Sequence, residues 1–236
     1  MRHTESGEPA VYVVFVPTAH VTILDTWQVS GLAGTGSQDV EMKQVFVPEQ
    51  YVCPLNLHPS AHGKHFRIPL YRYPFLVLGF PLLGAIALGI AQGAVDACLD
   101  LAQAKRPSGV PDLLRDQPVF QVRLAEAVAL VRSARAWIHT AIQQACEAQD
   151  LRGQVSLAER TDVLLAAANA TRSAAAAVDI LYTAGGGTAN YRHSPLQRAL
   201  RDVHAVTQHW GTAPRQFESA GRMLVGLPPL NPMIVA

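Results

Sequence analysis

A chain of 236 residues, 49% hydrophobic and 16% charged, is long enough for one large or two small domains with a substantial core, and too apolar for a disordered one. Nineteen Lys and Arg balance eighteen Asp and Glu with no acidic or basic tail, which argues against a nucleic-acid partner. Cys53, Cys98 and Cys146 are odd in number, widely spaced and without a CxxC pair, so they read as reduced thiols of a cytoplasmic protein and suggest neither a disulfide framework nor a metal site.

The N-terminus, with Glu5 and Glu8 and no apolar stretch ahead of Val11, does not resemble a signal peptide. Strand-type runs follow at Val11–Val16, His20–Leu24 and Val40–Val47, with a Gly/Thr/Ser loop at 31–37 between the last two. Residues 53–74, punctuated by Pro54, Pro59, Gly63, Pro69 and Pro74, read as a connector. The composition then changes: of 35 alanines, 4 precede residue 81 and 31 follow it, and alanine favours helix. The chain therefore divides near residue 75 into a β-rich part, 1–74, and a helical part, 75–236.

Helices are expected at about 80–105, 115–149, 156–184 and 194–209, with a shorter one over 213–224. In the second, Val119, Val122, Leu124, Ala125, Val128, Leu130, Val131, Ala134 and Ile138 recur at helical spacing, and Arg123, Glu126, Arg132 and Arg135 supply polar positions. The third opens at Ser156 with Glu159 three residues on, the spacing of a capping box, and stops at Gly185-Gly186-Gly187. Short loops between these segments imply an all-antiparallel bundle of four long helices. From Tyr73 to Val95 there is no charged residue, a stretch long enough to cross a bilayer, and Gly89 and Gly93 add a GxxxG spacing. Pro74, Gly79 and Pro81 interrupt its first third, so a helix buried in a bundle is the expectation, with no membrane partner. A helix this apolar and the alanine-rich third helix must be covered, which points to a homo-oligomer, dimer or tetramer.

The run Asp25-Thr26-Trp27-Gln28-Val29-Ser30-Gly31-Leu32-Ala33-Gly34-Thr35-Gly36-Ser37-Gln38-Asp39-Val40, followed by Val45-Phe46-Val47-Pro48-Glu49, resembles the middle β domain of the acyl-CoA dehydrogenase superfamily. It is most similar to the branch of two-component flavin-dependent monooxygenases, which hydroxylate aromatic or sulfur compounds with reduced flavin supplied by a separate reductase. A second match lies in Gly185-Gly186-Gly187 and Gln197-Arg198-Ala199-Leu200-Arg201-Asp202-Val203-His204, and together the two cover nearly the whole chain. The resemblance implies an α+β fold, mainly α: a partial antiparallel β domain followed by a four-helix up-down bundle. It also implies FMN or FAD as cofactor, a flavin reductase as partner and a small aromatic or apolar substrate. Members of the family normally begin with a helical domain and the first half of the β domain, so the chain reads as a truncated member.

Dehydrogenation of a thioester needs a glutamate base facing the flavin. In the family this base commonly sits in a Tyr-Glu-Gly-Thr run eight residues after the Asp of Arg-Asp; here that position is Trp210, in His209-Trp210-Gly211-Thr212. Relatives that place it near the first bundle helix offer no alternative, because no Asp or Glu lies between Glu49 and Asp96. A monooxygenase-type reaction is therefore favoured over dehydrogenation; the competing reading is a non-catalytic remnant or assembly subunit that keeps the bundle.

On a continuous helix Arg198, Asp202, Ala205 and His209 form one stripe, and Arg201, His204 and Gln208 a neighbouring one. In the monooxygenase branch a histidine on this helix looks onto the flavin, where it helps deprotonate the substrate or stabilise the oxygenated flavin. By that resemblance His209 and then His204 are the candidate catalytic residues. The plainer reading makes Asp202 and the arginines an ion-pair network and the histidines interface packing. By the same resemblance Gly185 and Gly186 let a neighbouring subunit's nucleotide approach, and Arg106 with Ser108, after the first bundle helix, holds flavin phosphate or adenosine diphosphate. Their plainer readings are a helix stop and a solvated helix end whose cations suit the dipole. The loop Gly34-Thr35-Gly36-Ser37 lacks a following Lys and lies between strands, so it is no P-loop, and Ala33 stands where the family usually has an arginine.

Overall fold

The computed structural model describes residues 12–54, 69–230 and 234. The N-terminal residues, Val11 and most of the proline-rich connector, including Pro59 and Gly63, lie outside the described residues. Among the described residues four three-residue strands form the β part: β1 (Tyr12–Val14), β2 (Thr22–Leu24), β3 (Asp39–Glu41) and β4 (Val52–Pro54). They pair antiparallel in two ladders, β1 with β4 in the register Tyr12 to Pro54, and β2 with β3 in the register Thr22 to Glu41.

Two strand expectations need correction. The run 40–47 ends as strand at Glu41, because Gln44 adopts φ +50° and turns the chain. The start of the presumed connector is a strand, since Val52–Pro54 finds its partner forty residues back in β1. Of the described β-part residues only Gly31 and Pro74, the latter at the junction with the first helix, are buried, and Phe46 stands 86% exposed. The core therefore lies in the helices.

Five helices follow among the described residues: α1 (Phe75–Ala104), α2 (Pro118–Arg152), α3 (Leu157–Gly185), α4 (Pro195–Thr207) and α5 (Arg215–Leu224). The bundle is thus built on three long helices of 30, 35 and 29 residues, closed by short ones of 13 and 10, rather than on four long ones. α1 begins five residues earlier than its alanine content suggests and runs through Pro81, which gives up one i to i−4 bond in the second turn. Pro118 starts α2 at a position where the missing amide costs nothing, and Gly153, at φ +72°, ends it by returning its N–H to the Gln149 carbonyl. Three residues later Ser156 opens α3 with a complete capping box: its hydroxyl accepts the Glu159 amide at 3.3 Å, and the Glu159 carboxylate accepts the Ser156 amide at 2.8 Å. So short a loop makes α2 and α3 antiparallel neighbours.

α3 is the central element, touched by α1, α2, α4 and α5. Its small side chains allow this: Ala166, Ala167, Ala170, Ala174 and Ala177 are fully buried among Leu164, Val178 and Leu181. α1 packs tightly on α2 and α3 at Gly84, where a Cβ would lie 2.9 Å from Ile138 Cδ1 and 3.2 Å from the Ala167 carbonyl oxygen. Two stretches, Val77–Ala104 and Leu157–Asn190, are long and apolar enough to cross a membrane. Both are packed in the bundle. α1 buries Phe80, Ala87, Leu88, Ala91, Val95 and Cys98, while Leu82 and Ile86 remain exposed.

Candidate functional site

The loop between β2 and β3 is fastened to α4. Gly31 lies so close to that helix that a Cβ would stand 2.0 Å from the Arg201 carbonyl oxygen, so no other residue fits. On either side of it, Arg201 Nη1 donates to the Ser30 carbonyl at 2.6 Å and the Leu32 amide donates to Asp202 Oδ1 at 2.7 Å. Leu32 itself sits in the left-handed region at φ +54°. Its carbonyl accepts the Trp27 indole N–H at 3.2 Å and the Thr35 hydroxyl at 2.9 Å, and Gln38 Oε1 accepts the amides of Thr26 and Trp27 at 2.7 Å each.

Between this loop, α1 and the end of α4 opens a cleft of about 530 Å³, the size of a small-molecule or cofactor site. Trp27, Leu32, Leu83, Ile86, Ala205 and Val206 make its apolar walls; Thr35, Ser37, Gln208 and His209 supply polar groups. Among the described residues no carboxylate lines it.

The two histidines do not come together. α4 ends at Thr207 because the amides of Gln208 and His209 turn back to the carbonyls of Ala205 and Val206, at 3.2 and 3.1 Å. The helical stripe through Arg198 and Asp202 thus stops at Ala205, and His209 reaches the cleft on the turn that follows. That turn is held rigidly. The amides of Thr212 and Ala213 donate to the His209 carbonyl at 3.0 and 2.9 Å, and the Gly211 amide donates to His209 Nδ1 at 3.1 Å. Gly211 in turn is pressed on α1, where a Cβ would lie 2.8 Å from Leu83 Cδ1, and Trp210 packs edge-on against Phe80 at 5.5 Å between ring centres. With Nδ1 occupied as an acceptor, the neutral His209 ring carries its proton on Nε2. His204 faces the other way: its Nε2 lies 2.8 Å from Asp179 Oδ1 of α3, in a separate groove where the Arg172 guanidinium sits 4.6 Å from the centre of the Phe217 ring. Both members of that pair are half exposed, so solvent screens it.

At the other end of α3, Gly185 is buried, and what requires glycine is packing: a Cβ would meet Leu196 Cδ1 at 2.6 Å and Ala189 Cβ at 3.2 Å. Gly186 is exposed with φ +57° and ψ −151°, a conformation open essentially to glycine alone. The cation at this turn is Lys105, whose Nζ donates to the Gly185 carbonyl at 2.5 Å. Arg106 instead donates to the Pro111 carbonyl within its own loop, and Ser108 is exposed in the same loop. Sequence reasoning passed over Lys105, Trp27 and Ser37 as wall or corner residues; only the aromatic ring of Trp27 beside the Gly-rich loop offered a local signal.

Residues 82–214 match the family described as acyl-CoA dehydrogenase, C-terminal domain. Similar curated proteins include the indole-3-acetate monooxygenase of Pseudomonas putida, 34% identical over 217 residues that make up 91% of this chain and 54% of that protein. The oxygenase component of the FADH(2)-dependent resorcinol hydroxylase of Rhizobium sp. is 31% identical over 241 residues, 94% of this chain and 58% of that protein. Among solved structures, 3-HSA hydroxylase from Rhodococcus sp. RHA1 superposes with a TM-score of 0.84 at 28% identity, over 97% of this chain and 60% of that one. The chain thus spans a little over half the length of the relatives it matches. On this match, which takes in most of α1 and all of α2, α3 and α4, the chain belongs to the acyl-CoA dehydrogenase family.

Proposed function

We propose that the chain carries the helical wall of a flavin-dependent, monooxygenase-type active site of a cytoplasmic oxidoreductase. In it, reduced flavin from a separate reductase, together with O2, hydroxylates a small aromatic or apolar substrate. The observation that carries this reading is the cleft: apolar walls, hydroxyls at one side, one histidine, and no carboxylate among its described lining residues to serve as a dehydrogenase base. Relatives named as monooxygenases and hydroxylases of aromatic compounds, one of them FADH(2)-dependent, support it.

The residues present fit a flavin. Trp27 and Leu32 offer an apolar wall for its ring, and Thr35 and Ser37 offer hydroxyls; Lys105, Gly186 and the Arg106–Ser108 loop lie at the far end of α1, about 28 Å from Ile86, and would serve the phosphate of a flavin held by a neighbouring subunit. Bound reduced flavin supplies the activation of oxygen. His209 then acts as a donor: its Nε2–H is available to an oxygen on which negative charge grows, because acting as a base at Nε2 would require moving the proton to Nδ1 and losing the Gly211 bond. His204 belongs to the α3 contact and stays outside the chemistry.

The test is a titration with oxidised and reduced FMN and FAD, followed by reductase-coupled hydroxylation of a phenolic substrate. Binding at or below tens of micromolar, on the order of 6–7 kcal/mol, is expected. His209→Ala should lower kcat about 100-fold, and His204→Ala should leave it unchanged. No binding in this range, or a fully active His209→Ala protein, refutes the reading. One observation favours a second reading, an assembly subunit without catalysis: the β ladders leave Phe15 and Phe46 uncovered. It predicts association without flavin binding. Under either reading the exposed Phe75 and Leu82 of α1 support a dimer or tetramer, which a clean monomer in light scattering at high concentration contradicts.

A further inference from the structure

We propose that Asp202 is a positioning residue for the cleft. By accepting the Leu32 amide it locks the loop at residues 30–32 onto α4, and through the Leu32 carbonyl it holds the Trp27 indole in the cleft wall. The contact joins residues 170 apart in the chain. Consecutive residues of α4 grip the two flanks of one glycine: Arg201 takes the Ser30 carbonyl, Asp202 takes the Leu32 amide, and Gly31 rests on the helix backbone between them. Of the two partners of Asp202, the loop amide is the consequential one. Arg198, at 3.4 Å, is 78% exposed and its pairing is screened, whereas the Asp202 carboxylate is only 19% exposed where it meets Leu32.

Leu32 is kept in a left-handed conformation that leucine adopts only when its surroundings hold it there. Its carbonyl is thereby aimed at Trp27 Nε1. Release of the amide lets Leu32 relax and withdraws the acceptor from the indole, so the wall of the cleft opens at Trp27. The consequence for ligand binding rests on the proposed function; the position of the indole does not.

The experiment uses the full chain with Trp137→Phe and Trp210→Phe, which leaves Trp27 as its one tryptophan. Asp202→Ala should shift Trp27 emission to the red and raise its quenching by iodide about twofold or more, while helix content is retained, and should weaken FMN binding about tenfold. Asp202→Asn keeps an oxygen acceptor for the Leu32 amide and should stay near the parent in both readouts. Gly31→Ala drives a methyl into the Arg201 carbonyl and should reproduce the Trp27 signature with Asp202 intact. Unchanged emission and quenching in Asp202→Ala, or an Asp202→Asn protein that behaves like it, overturns the proposal. If the parent protein binds no FMN, the functional reading fails while the Trp27 signal still decides whether Asp202 holds the loop.

Discussion

Replacing Gly185 by alanine separates two reasons for a glycine at the end of α3: packing within this chain, and close approach of a nucleotide. The backbone there is ordinary right-handed helix, φ −66° and ψ −19°, so alanine brings no strain and regains a small part of the helix preference it holds over glycine, about 1 kcal/mol at most. Against this, the new methyl falls 2.6 Å from Leu196 Cδ1 and 3.2 Å from Ala189 Cβ. Leu196 is 2% exposed and its methyl has no free space to swing into, so the site is overpacked at a cost of about 1–3 kcal/mol. The net expectation is a loss of about 1–2 kcal/mol, or roughly 2–8 °C in Tm for a protein of this size. Leu196→Ala alone costs about 2–5 kcal/mol. In the double variant the two changes compensate, with a coupling of about 1–3 kcal/mol. Urea unfolding followed by far-UV circular dichroism measures all four proteins. A Gly185→Ala protein as stable as the parent, or strict additivity in the cycle, refutes the packing argument and returns Gly185 to the nucleotide.

Burial pushes the Cys98 thiol up to about 11, with Lys105 opposing, so an alkylating or disulfide reagent at pH 8 should modify exposed Cys53 and leave Cys98 intact until the protein unfolds. Ser156→Ala should cost about 1 kcal/mol, read from urea unfolding, because it removes the cap of α3. Glu159 is held below its ordinary value of 4.5, chiefly by its hydrogen bond from Arg152, against burial and with help from Ser156. Its folded value lies below its unfolded one, so its contribution to stability is complete above pH 4.5 and is lost as pH falls through the folded value. Arg152→Gln should flatten that part of the acid limb in pH-dependent unfolding. Leu164→Ala, at a fully buried position two turns into α3, should cost about 2–5 kcal/mol in the same assay.

The elements that could be read along the chain are those built from local rules. The Ser156–Glu159 capping box, the glycine stop of α3 and the periodic face of α2 all rest on contacts within one or two turns. The vacancy at Trp210, where the family would place a glutamate, was equally legible, since it needs only a count from Asp202. β4 carries no strand signal of its own, because three residues ending in proline show no strand period and their partner lies in β1. Helix periodicity alone runs α4 on to residue 209, with His204 and His209 on neighbouring stripes; the backbone bonds that end it at Thr207 turn the second ring into the cleft and leave the first on α3.

Composition, periodicity and capping therefore determined by themselves that this is a short β segment followed by an alanine-rich helical bundle, because each of those signals acts between residues close in sequence. Only the tertiary structure decided where the cleft lies. The bonds that shape it, Asp202 to Leu32, Arg201 to Ser30 and the stacking of Gly211 on α1, join segments far apart in the chain, and no local preference encodes which distant partner a buried amide or a bare glycine will meet.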